Sequence, residues 1–325
     1  AMPQPPRRKR WAARAALAAL LLLAAGPLRP SAAQAPAPQF SFQIQYDPAA
    51  LPGSPEASET LANLIYPAGK GPASHGFPQE PLPVLVFFRG GNANKFGPGQ
   101  IEFDNQAKVA HLGGMIGVSC NFAVVENGED YKVAVASVAR LIQYLRAHAV
   151  QLNIDPAQVF TVGRSFGTVV GYGLALREDY RVPGSSDPLL SQSSRPDYYA
   201  PRFGPSQLTC FADDVGSWAP ILNTFFFPGK VFSESSDAER LAESATWWLI
   251  NPELFDRQRT PPLCVVYAQG YTDACDTNVD VHSGLFGDLM LQAIETYTRL
   301  SGDTEFRRRC SAIDVDLLPE AELAV

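Results

Sequence analysis

Ser165 is the residue of this chain best placed to do chemistry. It stands in Gly163-Arg164-Ser165-Phe166-Gly167, directly after the strand-like run Val159-Phe160-Thr161-Val162. A small-residue helical pattern follows at once: Phe166, Val169, Val170, Gly173 and Leu174. Strand, then Gly-x-Ser-x-Gly, then helix is the context in which the motif forms a nucleophile elbow. A serine there sits on a strained turn with its hydroxyl presented above a sheet. The flanking glycines leave room for backbone that passes too close for a side chain. A helix that begins at the serine aims amide N–H groups and its positive dipole end at any oxyanion forming nearby. The chemistry such a residue supports is nucleophilic acyl transfer.

Acyl transfer also needs a base, a carboxylate to orient the base, and an oxyanion hole. One oxyanion donor is expected from the N–H of Phe166, the residue after the nucleophile. A second is expected from a loop that follows an earlier strand. The run Val84 to Phe88 ends in Arg89-Gly90-Gly91-Asn92, whose glycines let the backbone turn N–H groups of the Gly91 and Asn92 region toward a substrate. An ordinary Gly-Gly turn is the plainer reading of the same residues. Four histidines and five cysteines show no metal-ligand spacing, and the chain has no Walker or dinucleotide glycine loop. No metal and no cofactor are expected.

The elements that must position these groups are readable in outline. Phe40 to Tyr46 alternates like a half-exposed edge strand, and Leu61 to Tyr66 reads as a second strand. Pro67 to Pro83 is a Gly- and Pro-rich loop. Val84 to Phe88 and Gly114 to Cys120 are continuous apolar runs of the kind buried on both faces of a sheet. Val135, Val138, Ile142, Leu145 and Ala149 recur at helical spacing. Asp155-Pro156 marks a turn before the Ser165 strand. Glu178 to Asp214, rich in Ser, Pro, Asp and Tyr, reads as a long loop or small cap, with the next strand expected over Val215 to Leu222. Phe225 to Arg259 reads as a helical insertion. Its aromatic residues, Phe225 to Phe227 and Trp247-Trp248, suit either an acyl pocket or cap packing. Cys264 to Tyr267 is a late buried strand, and Phe286 to Leu300 a last long helix. Strands alternating with helices predict an α/β fold: a mostly parallel central sheet with helices on both faces and a cap-like insertion.

The N-terminus reads as a signal peptide over residues 1–33. Arg7 to Arg10 are basic, Ala15 to Ala25 is apolar but short for a bilayer, and Ser31-Ala32-Ala33 offers small residues for cleavage. Secretion or export to a periplasm is expected, with no stable membrane span after cleavage. Residues 34–325 then form one domain, with loop and cap insertions over 178–259. The whole sequence carries a net charge of −7. Removing the six Lys and Arg of residues 1–33 leaves 20 basic against 33 acidic residues, a net charge of −13. That balance argues against nucleic acid as a partner. The five cysteines leave at least one unpaired. Cys120 and Cys264 sit in strand-like runs and read as buried thiols, while a disulfide is expected among Cys210, Cys275 and Cys310, with Cys275–Cys310 favoured.

With these pieces in place, the chain resembles the α/β-hydrolases of the secreted carboxylesterase and lipase type. The resemblance rests on Leu82 to Gly91, on the helix from Val133 to Leu152 followed by Asn153-Ile154-Asp155-Pro156, on the Ser165 turn, and on Pro261 to Tyr267 leading to Gly270-Tyr271-Thr272-Asp273. It implies Asp273 as the orienting acid, with Asp276 and Asp280 as rivals and a solvated turn aspartate as the plain alternative. Two departures stand out. Arg89 occupies the place where His-Gly-Gly esterases carry histidine; it could pair with a carboxylate or meet an acidic substrate. The resemblance also calls for a histidine after a further strand, and none follows His282. Among His75, His111, His148 and His282, His148 falls on the helix before the Ser165 strand, His111 precedes a strand at its lower end, and His75 has no clear place. His282 lies nine positions after Asp273, on the side where the site belongs, and is the base by elimination; an ordinary helix-start histidine is the other reading. The expectation is a serine hydrolase of carboxylic esters, small or polymeric, with Ser165, His282 and Asp273 as its triad. A related serine peptidase, a binding protein on a hydrolase scaffold, and a chain cut before its histidine are the alternatives.

Overall fold

The structure is a computed structural model that describes residues 40–47, 60–90, 114–122, 131–177, 179–202, 204–211, 222–223, 226–227, 230–251, 261, 263–267, 285–302 and 310–314. Its centre is an eight-stranded sheet, in the order β1-β2-β4-β3-β5-β6-β7-β8. The strands are β1 (Phe40–Gln45), β2 (Leu61–Tyr66), β3 (Leu82–Phe88), β4 (Ile116–Cys120), β5 (Ile154–Arg164), β6 (Tyr198–Arg202), β7 (Cys264–Tyr267) and β8 (Ser311–Asp314). β1 and β2 pair antiparallel, and β2 pairs antiparallel with β4; every pairing from β4 through β3 to β8 is parallel.

The burial of each strand follows its composition. β3 is Leu-Pro-Val-Leu-Val-Phe-Phe and is buried on both faces from Pro83 onward, as a central parallel strand must be. β1 alternates half-buried and exposed positions because it lies at the edge. The turn expected at Asp155-Pro156 lies within β5: Leu82 stands opposite Ile154 but Val84 opposite Val159, so β5 bulges there. Asp155 Oδ1 accepts from the Ala157 amide at 3.0 Å and closes the bulge.

Helix α1 (Lys132–Ala147) joins β4 to β5, and α2 (Phe166–Leu176) leaves β5 toward β6. Their apolar stripes meet the side of the sheet that carries Val84, Val86, Phe88, Val159 and Tyr199. The short helices α3 (Asp237–Ala242) and α4 (Ala245–Ile250) precede β7, and α5 (Leu285–Ser301) joins β7 to β8. The steps β4 to β5, β5 to β6 and β7 to β8 run the same way across the sheet, so right-handed crossovers put α1, α2 and α5 on one face. The other face is apolar as well: Leu85, Phe87, Phe160, Tyr198 and Ala200 are all buried.

Of the run Val215 to Leu222 only Leu222 is among the described residues, and it is helical. The strand after β5 is Tyr198–Arg202. Pro201 lies in this strand and opposes Gly163. A proline ordinarily argues against an interior strand, which hides β6 in the sequence. The segment before it, residues 179–197, is irregular but firmly tied. Arg146 of α1 donates to the carbonyls of Pro156, Ser193 and Arg195 and to the Asp197 carboxylate. Arg195 is buried and donates to the carbonyls of Ala175 and Arg177, at the C-terminal end of α2. Asp179 accepts from Ser193 and Ser194.

The aromatic residues of the insertion serve packing. Trp248, Phe226, Phe227 and Phe232 are buried in the main core, α4 lies against α2 and α5, and Trp248 Nε1 donates to the Ala242 carbonyl at 2.7 Å. Phe225 lies outside the described residues. Cys120 and Cys310 are buried and outside any disulfide, and Cys210 is disulfide-bonded. The Cys275–Cys310 pairing is therefore wrong: Cys310 sits beneath the start of β7, with its sulfur 3.5 Å from the Leu263 amide. Among the described residues no helix is long and apolar enough to cross a membrane, and no cluster of three metal-ligating side chains occurs.

Candidate active site

Ser165 occupies the tight turn between β5 and α2, with φ 54° and ψ −122°. A non-glycine residue with positive φ outside the left-handed helical basin is strained, and such strain persists only where the surroundings over-determine it. Here they do. The Ser165 amide donates to the Arg202 carbonyl at 3.1 Å, which fastens the turn to the end of β6. The Ser165 carbonyl accepts from the Thr168 amide at 2.9 Å, the first bond of α2. Thr168 Oγ1 donates to the Arg202 carbonyl at 2.7 Å, lies 3.0 Å from the Gly163 carbonyl, and accepts from the Arg202 amide at 3.3 Å. One buried hydroxyl thus joins the strand before the serine to the strand beside it. Tyr199 in β6 adds a further tie, with its hydroxyl donating to the Thr168 carbonyl at 2.7 Å.

The glycines of the motif are there because backbone is packed against backbone. A Cβ on Gly167 would overlap the carbonyl oxygen of Phe88 and come within 2.5 Å of that of Arg89, so the first turn of α2 seats directly on the end of β3. A Cβ on Gly163 would strike the Gly167 carbonyl. Gly90 is the closest neighbour from β3: a Cβ there would lie 2.6 Å from the Ser165 Cβ and 3.3 Å from Oγ. Gly204, just past β6, would meet the Ser165 carbonyl at 2.6 Å. The ends of β3, β5 and β6 therefore converge on one partly exposed serine.

Phe166 is buried, with its ring 6.3 Å from that of Phe122 past the end of β4. It opens α2, so its backbone N–H lies in the first turn of that helix, where N–H groups have no intrahelical acceptor. Gly91 and Asn92, Asp273 with its rivals Asp276 and Asp280, and His111 and His282 lie outside the described residues. Gly90, immediately before the expected oxyanion pair, is in place against Ser165.

The other two histidines are far from the serine. His148 caps the C-terminal end of α1, stacked on Tyr144 at 4.0 Å, and precedes β5, whereas Ser165 follows it; the eleven-residue strand separates them. His75 packs on Phe40 and Phe42, and the amide of its neighbour Ser74 donates to the Gln151 carbonyl, again at the amino end of β5. Neither can take a proton from Ser165.

Sequence reasoning placed Ser165 and Phe166 at a turn from strand to helix, as the structure has them, but missed Arg202, Thr168 and Gly204 as partners of the serine. Arg202 stands directly opposite Arg164 in β5. Arg89 follows Phe88, whose β5 partner is Gly163. Partial burial pulls the Arg89 guanidinium down to about 10, opposed by the nearby Cys120 sulfur, so it stays cationic at neutral pH. The same burial pushes the Cys120 thiol far up, and it donates weakly to the Phe87 carbonyl at 3.7 Å.

No protein-family model matches the chain, and no curated protein matches its sequence. Solved structures do. The acetyl ester-xyloside bifunctional hydrolase of Caldicellulosiruptor lactoaceticus superposes with a TM-score of 0.57 at 16% identity, over 81% of this chain and 83% of its own. Esterase 2 of Thermogutta terrifontis, phosphonylated by sarin, superposes with a TM-score of 0.56 at 15% identity, over 86% and 84%. A bifunctional GH43-CE protein of Bacteroides eggerthii gives 0.57 at 17%, over 80% of this chain and 34% of that one. This chain shares their α/β fold.

Proposed function

We propose that the protein is a serine hydrolase of the α/β-hydrolase type that cleaves carboxylic esters through an acyl-enzyme on Ser165. The observation that carries the reading is the conformation of Ser165: strained, partly exposed, between a parallel strand and a buried helix, with the Gly90 backbone against it. This is the geometry a nucleophile elbow needs. The esterases that share the fold support the same reading, and the organophosphorus adduct named for one of them suits an activated nucleophile.

In this reading Ser165 Oγ attacks the ester carbonyl and gives its proton to a histidine base. The Phe166 N–H and the N–H groups of the Gly91 and Asn92 region hold the oxyanion. The histidine then protonates the departing alcohol, and water hydrolyses the acyl-enzyme by the reverse roles. His282 is the proposed base and Asp273 the proposed orienting acid. Of the histidines in this sequence, His75 and His148 lie at the amino end of β5, which leaves His282 and His111 as candidates for the base. Residues 1–33 are proposed to direct export, so the enzyme acts on small or polymeric esters outside the cytoplasm.

Ser165→Ala tests the reading. It should remove hydrolysis of 4-nitrophenyl butyrate by on the order of a millionfold and abolish labelling by a fluorophosphonate, with an unchanged circular dichroism spectrum. Undiminished turnover would rule Ser165 out as the nucleophile. A wild-type protein that takes no label would instead support a binding role for the scaffold.

A further inference from the structure

Three arginines gather at one end of three adjacent strands. Arg164 ends β5, immediately before Ser165, and Arg202 ends β6 directly opposite it. Arg89 follows β3 one position past the Phe88–Gly163 pair. In-register residues of a parallel sheet project from the same face, and neighbouring strands lie about 4.8 Å apart. The three arginines are thus rooted in one row of backbone positions around the serine. Arg164 is exposed, while Arg89 and Arg202 are half-buried.

Such a row runs against the rest of the molecule. The chain carries a net charge of −7 and only 26 basic residues in 325. Like charges directly opposite one another across strands destabilise a sheet. Each of the three arginines makes further interactions within the chain. A guanidinium has five donors in a planar fork, so one partner does not saturate it, and the fork matches a carboxylate in two-bond geometry.

We infer that the site takes esters bearing a carboxylate close to the scissile bond, held by the row Arg89, Arg164 and Arg202. This rests on the reading of Ser165 as an ester-cleaving nucleophile and names its substrate class. The overall negative charge favours a small anionic ester over an acidic polymer, because a polyanion meets long-range repulsion that a single carboxylate at a local cationic row does not.

The test compares matched esters on the full chain. 4-Nitrophenyl hemiglutarate against 4-nitrophenyl butyrate places the carboxylate on the acyl side. 4-Carboxyphenyl butyrate against phenyl butyrate places it on the alcohol side. One anionic ester should exceed its neutral counterpart in kcat/KM by on the order of tenfold or more, the size expected of charge-assisted hydrogen bonds. The gain should lie mainly in KM and shrink as salt is raised. Arg202→Gln should cut the anionic-to-neutral ratio by about tenfold, and Arg202→Lys should keep part of it. The backbone bonds of Arg202 to Ser165 and Thr168 survive both changes. Arg164→Gln, at an exposed position, provides a second variant in which the ratio should also fall. Neutral esters preferred on both sides, or a ratio that Arg202→Gln and Arg164→Gln leave unchanged, would overturn the inference. If fluorophosphonate still labels Ser165 in that case, the hydrolase reading stands without it. If no ester is cleaved and no label is taken, both fall.

Discussion

The amide of Ser165 donates to the carbonyl of Arg202 at 3.1 Å, so the candidate nucleophile is fastened to a strand that lies 37 residues further along the chain. The Thr168 hydroxyl completes the link by donating to the same carbonyl at 2.7 Å. Thr168→Val keeps the shape and removes the donor. It should cost about 1–3 kcal/mol, the typical loss for a buried bond broken on one side. Turnover of 4-nitrophenyl butyrate should fall as well, because the turn loosens. Urea denaturation and steady-state kinetics on the same preparation check both.

Gly167→Ala places a methyl group against the carbonyl oxygens of Phe88 and Arg89. Backbone cannot move aside as a flexible side chain can. We expect a loss of about 1–3 kcal/mol, as for other overpacked interiors, with activity lost more than stability because α2 and β3 are pushed apart at the site. Thermal melting against initial rates distinguishes the two effects. An alanine variant with wild-type melting temperature and rate would show that the close approach is absent.

The placement of His75 and His148 gives an internal control. His75→Ala and His148→Ala should leave ester turnover unchanged, since both lie at the amino end of β5. His282→Ala should reduce it by several orders of magnitude, as loss of a general base does. Retained activity there, with loss in His111→Ala, would move the base to His111.

Acid stability has a signature in α3. Ser236 and Glu239 form a capping box at its start. Hydrogen bonds from Lys230, then from the Ser236 amide and hydroxyl, hold the Glu239 carboxyl at about 2, below its ordinary 4.5. A depressed carboxylate stabilises the fold above its ordinary value and ceases to do so as pH falls through the folded value. Glu239→Gln should therefore flatten the decline of melting temperature between about pH 4.5 and 2. A pH series of thermal melts on both proteins makes the comparison.

Export is tested by mass. Protein recovered from the culture medium or periplasm of its host should begin near Gln34 or Pro36, as the basic and apolar start of the sequence implies. An intact N-terminus on cytoplasmic protein would contradict it.

How far the sequence reached depended on whether a feature is local. β2 and β7 are read to the residue, and β1, β3, β4 and the two long helices to within a few, because each carries its own apolar period. β6 was hidden because Pro201 and the polar stretch before it outweigh Tyr198-Tyr199-Ala200 on local grounds; its place comes from pairing with β5. β8, Ser-Ala-Ile-Asp, is as short as β7 but lacks its apolar run, so no local pattern marks it. In the site, Ser165 and Phe166 are legible because motif, strand and helix are contiguous. Thr168, Arg202 and Gly204 act through backbone and hydroxyl contacts across the sheet, and no local pattern announces those.

The stretch from 179 to 197 has the composition of a segment that a protease would cut first or a tag would enter without harm. Instead Arg146 binds it to α1, Asp197 to β5 and Arg195 to the end of α2, and Asp179 closes it on itself. α2 begins at Ser165, so a foreign sequence spliced into this strap would be felt at the opposite end of a buried helix. Its irregular backbone behaves as a fixed brace, and engineering that treats it as a free linker would disarm the molecule without touching the serine.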